Sequence, residues 1–244
     1  MTFAYPAAAR RSNGGGNGPG AGRLSIVEAM EPELRGDFHR ELDALDISVA
    51  ALLGLLPEAI RTATEALLGA GDLAQRVWEW RGLVEDLYGG VAGTVESIVA
   101  RQAPVARDLR FLLGCVRLVP TLYDSVDLVA DVASPTTAGV GAAAGERTRA
   151  LILEVGERTA LTWAAVEDLW ARREKAAMVA VRERDDALAD VRSSLSAELG
   201  TGALDVSATM QLALIGRSFE RLGRHAATAA GVIVLIGAKR GETA

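Results

Sequence analysis

The chain has 244 residues, half of them apolar and only 5% aromatic, so any core must be built from Ala, Leu and Val. That composition favours close-packed helices over strands. The net charge of −6 argues against a nucleic-acid or anionic-membrane surface, and a single cysteine, Cys115, excludes an intrachain disulfide framework.

Residues 1–28 open as MTFAYPAAARRSNGGGNGPGAG, rich in Gly, Asn, Ala and Pro, and read as a disordered tail. They lack the apolar stretch of a secretory signal. A first helix is expected from about Glu31 to Leu68, with Leu42, Leu45, Ile47, Val49, Leu52, Leu53 and Leu56 as its apolar positions. Pro57 should kink or split it. Gly69-Ala70-Gly71-Asp72 is a stop followed by a new start, and a second helix covers about Leu73–Arg101. Gln102-Ala103-Pro104 ends that one, with Pro104 suited to the first turn of a third helix, Pro104–Ala133.

The third helix carries Leu109, Leu112, Val116, Val119, Tyr123, Val126, Ala130 and Ala133 in steps of three and four. Pro120 predicts a bend in it. Ser134–Gly145 (SPTTAGVGAAAG) reads as an internal linker. A fourth helix follows over about Glu146–Arg173, a fifth over Ala176–Leu199, a break at Gly200-Thr201-Gly202, and a sixth over Leu204–Lys239. The sixth has a seam of Leu212, Ile215, Phe219, Leu222, Ala226, Ala229, Ile233 and Ile236. No stretch alternates with a period of two, so no sheet is expected. The longest apolar run, Ala226–Ala238, is too short to span a bilayer, so the chain reads as cytoplasmic, without direct membrane insertion.

The halves resemble each other. A shift of 97 lays Asp108-Leu109 on Asp205-Val206, Leu118 on Ile215 and Leu122 on Phe219. A shift of 104 lays Val77 on Val181, Glu79 on Glu183 and Val84 on Leu188. Amphipathic helices can be slid into apparent register, but here the order of helices and breaks repeats too. The expectation is an all-α chain of two tandem three-helix bundles with a pseudo-twofold repeat, one over residues 29–138 and one over 139–244.

Chemistry-bearing patterns are sparse. His39 and His225 lie far apart, the glycines at 14–20 are not followed by the Lys-Ser/Thr of a phosphate loop, and Cys115 sits among apolar residues as a buried thiol would. What remains are carboxylates four apart on one helix face, Asp127 with Asp131 and Asp186 with Asp190. Such pairs can cage hard cations when a neighbouring helix brings two more, or they can simply form a solvated face.

RQAPVARDLRFLLGCVRL (101–118) and GRSFERLGRHAATAAGVIVLI (216–236) resemble the third and sixth helices of the PhoU family of phosphate-uptake regulators. FHRELDAL (38–45) and RERDDAL (182–188) are similar to its first and fifth. The resemblance implies a non-enzymatic regulator that restrains phosphate uptake and phosphate-starvation two-component signalling. It would do so by contact with a membrane histidine kinase and with the ATPase of a phosphate ABC transporter. Long amphipathic helices also allow a homodimer.

The family carries an acidic pair, four residues apart, on each of four helices, and these pairs hold multinuclear metal clusters in some members. Carried onto this chain, the positions are Arg81 and Glu85, Tyr123 and Asp127, Asp185 and Ala189, and Glu220 and Arg224. Each pair keeps one acid and has lost the other. The expectation is therefore no cofactor, the metal site being lost, with Glu85, Asp127, Asp185 and Glu220 as remnants. The alternatives are iron, zinc or magnesium at those remnants, with Asp131 as a substitute ligand, or a divergent paralogue acting on a different transporter or signalling partner.

Overall fold

The computed structural model describes residues 20–237 apart from 71, 102–103 and 174, and side chains from 36 onward apart also from 72, 135–138 and 175–177. Seven helices follow one another: α1 (Gly20–Leu67), α2 (Asp72–Arg101), α3 (Ala106–Val132), α4 (Pro135–Ala143), α5 (Glu146–Arg172), α6 (Lys175–Leu199) and α7 (Val206–Gly237). Among the described residues there is no strand, and no helix is long and apolar enough to cross a membrane. The contacts fall into two units divided between Arg40 and Glu41. In the first, the Phe38 ring meets His39 edge-on and Arg40 pairs with Asp37. The second holds everything that follows.

Several expectations need correction. The tail expected over 1–28 lies outside the described residues up to 19, but α1 already begins at Gly20. The segment RLSIVEAM consists mostly of adequate helix formers, which offset the cost of the flanking glycines. Pro57 does not split α1. It removes one backbone donor, but Leu52, Leu53, Leu56 and Ile60 around it are buried, and their packing outweighs one lost bond. Pro120, where a bend and not a break is expected, lies inside an unbroken α3. Its side of the helix faces solvent, where water can satisfy the released carbonyl. Pro104 precedes α3 instead of starting it; Val105 holds the cap position.

The expected linker Ser134–Gly145 is largely helical, as α4. Its small residues let it lie against the end of α1: a Cβ on Gly141 would sit 2.2 Å from the Leu67 carbonyl oxygen. Only glycine fits there. Arg149 then donates to the Ala142 carbonyl at 3.0 Å, satisfying one of the orphan acceptors at the end of α4.

The buried stripe of α3 is broader than the expected seam. Leu112, Val119, Val126, Ala130 and Ala133 of that seam are buried, and so are Cys115, Leu118, Leu122 and Val129 beside it, whereas Leu109 and Val116 are exposed. The breadth follows from α3 packing against both α2 and α7. On α7 all eight expected seam residues are buried. Ile47, expected among the apolar positions of α1, faces solvent instead. Asp205 accepts from the Ala208 backbone N–H at 2.8 Å and caps α7, while Asp108, its counterpart under the shift of 97, lies within the first turn of α3. The repeat is therefore out of step at these two helix starts.

Two antiparallel pairings join the halves. On the α3–α7 seam, a Cβ at Gly114 would fall 2.3 Å from Ile236, and Ser125 meets His225 at 3.0 Å. On α1 and α5, Gly156 abuts Thr64, and Arg61 makes two hydrogen bonds to Glu157, at 2.7 and 2.9 Å. Arg173 ends α5 in the left-handed region at φ 53°. Its guanidinium lies over Trp170 and Phe111, at 4.4 and 5.3 Å from the ring centroids, and pairs with Asp46. One side chain thus ties α1, α3 and α5 together.

Candidate functional site

The positions expected from the family resemblance fall on four helices, of which α2 packs on α3 and α6 on α7. In the first half, Arg81 Nε donates to Asp127 Oδ1 at 2.6 Å. The carboxylate, together with the weaker fields of Tyr123 and Glu85, raises the guanidinium's affinity for its proton still further. Tyr123 stacks at a tilt on Tyr88, ring centroids 5.1 Å apart. Glu85 and Asp131 are exposed. A guanidinium therefore stands on the one carboxylate that the helix interface offers.

The second half repeats the theme with other residues. Glu220 Oε2 accepts from Arg217 at 2.6 Å and Glu220 Oε1 from Arg224 at 3.4 Å. Arg217 foremost, with Arg224 and Arg192 adding to it, holds this carboxyl below its ordinary range. Asp185 is half-buried on α6, and its Oδ1 has no hydrogen-bond partner. Ala189, Asp186 and Asp190 face solvent. Among the described residues no three His, Cys, Asp or Glu side chains converge on a point where a metal ion could sit. The residues at the family positions do not fit a multinuclear cluster. Such a cluster needs converging negative charge, and here three arginines, Arg81, Arg217 and Arg224, take up the two best-placed carboxylates.

The α3–α7 seam holds a polar contact that sequence reasoning missed. Ser125 is fully buried, donates to the Thr121 carbonyl at 2.6 Å and meets His225 Nδ1 at 3.0 Å. With its proton on a backbone carbonyl and no access to solvent, Ser125 is not an activated nucleophile; it anchors the seam. Burial first, then Arg221 and Arg224, lower the proton affinity of His225, with Asp124 opposing them. Cys115 is buried and its thiol is pushed up to about 12 by desolvation, as an inert structural thiol would be.

The helix order and pairing have counterparts among solved proteins. The structure superposes on the crystal structure of PhoU from Pseudomonas aeruginosa with a TM-score of 0.72, at 22% identity, over 82% of this chain and 98% of that one. The fold is that of PhoU. A second match, the phosphate transport system regulatory protein PhoU from Streptococcus pneumoniae, gives 0.69 at 18% identity over 82% and 96%. In sequence, the chain is 24% identical over 201 residues to the phosphate-specific transport system accessory protein PhoU homolog of Rhizobium meliloti, covering 80% of this chain and 85% of that protein. It is 25% identical over 205 residues to PhoU homolog 2 of Mycobacterium tuberculosis, covering 82% and 96%. No protein-family model matches the chain. It is a divergent relative of these PhoU homologs.

Proposed function

We propose that this PhoU-like chain is a cytoplasmic regulator of phosphate homeostasis, restraining phosphate uptake and phosphate-starvation signalling by protein–protein contact. The reading is carried by similarity over most of its length to proteins named as accessory to phosphate-specific transport. Its architecture is two tandem three-helix bundles, α1–α3 and α5–α7. Its partners are the ATPase of a phosphate ABC transporter and a membrane histidine kinase, and it performs no catalysis. At the family positions it holds no stable metal cluster; Arg81 on Asp127 and Arg217 on Glu220 support this.

The surface offers material for such contacts. Leu109 and Leu113 on α3 are 37% and 50% exposed, and their repeat counterparts on α7, Val206 and Met210, are 76% and 61% exposed. Val105 and Val116 extend the first stripe, and Leu214 the second. Scattered apolar residues at a surface need no explanation, but stripes at helical spacing in both halves fit contact with protein.

Deleting the gene tests the reading. Phosphate uptake in phosphate-rich medium should rise and return to its low level on complementation. A complementing chain carrying Met210→Asp and Leu214→Asp should stay folded and fail to restore repression. Uptake unchanged by the deletion would favour a different transporter or signalling partner, a reading kept open by the lost acids. Stoichiometric iron or zinc in the purified protein would favour a metal-binding bundle.

A further inference from the structure

Leu113 lies at the centre of an outward face of α3. Leu109 precedes it by four residues and Val116 follows it by three, so the three share one side of the helix, and Val105 at the cap position begins the row. All four are exposed. Arg110 and Arg117, three residues before Leu113 and four after it, flank the row on its other side, with Arg107 one turn further back. Ile236 of α7 packs on Gly114, and Leu235 beside it is half exposed, so the apolar surface continues from α3 onto α7.

The charge along this row is positive in a chain that carries −6 overall. Arg107, Arg110 and Arg117 face a single acid within residues 105–117, Asp108. Among the described residues none of the three makes an ion pair, whereas Arg81, Arg101, Arg173 and Arg217 all do. An apolar row edged by unanswered cations is complementary to a surface that is apolar and acidic. The row is three turns long, about 17 Å, and its steps of four, four and three are those by which one helix packs along another. We propose that this face docks an amphipathic helix of another protein, its apolar side on Leu109, Leu113 and Val116 and its Glu or Asp residues on Arg110 and Arg117. A second copy meeting this face through a twofold axis would set arginine against arginine. A bilayer would have to take up the side chains, and Leu113 and Val116, 50% and 49% exposed, are already half packed on the molecule. The inference rests on the regulatory reading in that it gives the chemistry of the partner's contact segment, but the binding itself is tested on the purified chain.

The test is fluorescence anisotropy of a labelled synthetic helix, leucine on one face and glutamate on its flanks, titrated with the full chain. Saturable binding is expected, weakening as salt is added. The same helix with lysine in place of glutamate should bind about tenfold more weakly or less. Arg110→Glu with Arg117→Glu should reverse that preference, favouring the lysine helix. Leu113→Asp should weaken binding of either helix about tenfold or more. Arg117→Glu alone, at an exposed position, keeps the test open should the double variant unfold; it should weaken binding of the glutamate helix in the same direction. Four results would each overturn the proposal: no saturable binding of the glutamate helix, equal binding of the lysine helix, binding of phosphatidylglycerol vesicles that these variants abolish, or a dimer in sedimentation that they abolish. Derepression of phosphate uptake on deleting the gene does not depend on these outcomes, so a failure of the docking face is told apart from a failure of the regulatory reading.

Discussion

Ser125 on α3 and His225 on α7 meet at 3.0 Å on the seam that joins the two halves, with Ser125 wholly buried. Burial and the neighbouring Arg221 and Arg224 depress the proton affinity of His225 in the folded chain. The unfolded chain, with an ordinary histidine pKa of about 6.5, therefore takes up a proton first as pH falls. The stability due to this group is complete above that value. It is lost as pH drops through the lower folded value. Denaturant midpoints measured between pH 7 and pH 5 should fall, and His225→Gln should flatten that slope. An equal slope in the variant would show that carboxylates elsewhere dominate.

The Arg81–Asp127 pair is about one-third exposed on both sides, so its net contribution to stability is small, about 0.2–1 kcal/mol in a double-mutant cycle. Its larger effect is on ions. Replacing Arg81 and Tyr123 together with glutamate would place four acids, with Glu85 and Asp127, across α2 and α3. That variant is expected to bind iron or zinc in equilibrium dialysis, and the parent chain is not.

Gly156 lets α5 approach α1. A Cβ there would fall 2.3 Å from the buried Thr64 Oγ1 and 2.9 Å from its Cβ. Thr64 cannot swing away, because its hydroxyl is held by the Ile60 carbonyl at 2.7 Å. Gly156→Ala should therefore destabilise the chain by about 1–3 kcal/mol by overpacking, despite the better helix propensity of alanine. Chemical denaturation measures it. Gly82→Ala, with nothing within 4 Å of the added Cβ, should instead leave stability unchanged or raise it.

Trp163 is the bulkiest fully buried side chain, and its indole nitrogen has no partner. Removing so large a side chain leaves a cavity that its neighbours can fill only in part. Trp163→Ala should cost about 3–5 kcal/mol, and Trp163→Phe far less, since the unpaired N–H leaves with the indole. Thermal unfolding of the two variants compares them directly.

Helix class, most helix ends and the whole seam of α7 were legible in the chain, because apolar residues at steps of three and four can bury one face only as a helix. The same rule made the stripe of α3 too narrow and put Leu109 and Val116 in it, which are exposed. A helix packed on two neighbours buries more than one face, and periodicity alone does not say which neighbour claims Cys115 or Leu118. The carboxylates Glu85, Asp127, Asp185 and Glu220 could be singled out along the chain through the family resemblance. Which arginine would answer which carboxylate was not legible, since Arg81 reaches Asp127 from another helix.

The sequence by itself determined that this chain is helical and that its second half repeats the order of helices and breaks of the first, since propensity and spacing are properties of neighbours along the chain. Only the tertiary structure decided that the glycine-rich stretch before α5 is a helix seated on the Leu67 carbonyl, that Ser125 finds His225, and that Arg81 reaches Asp127. Those outcomes depend on which surfaces meet across about a hundred residues, and packing sets them where no local preference can.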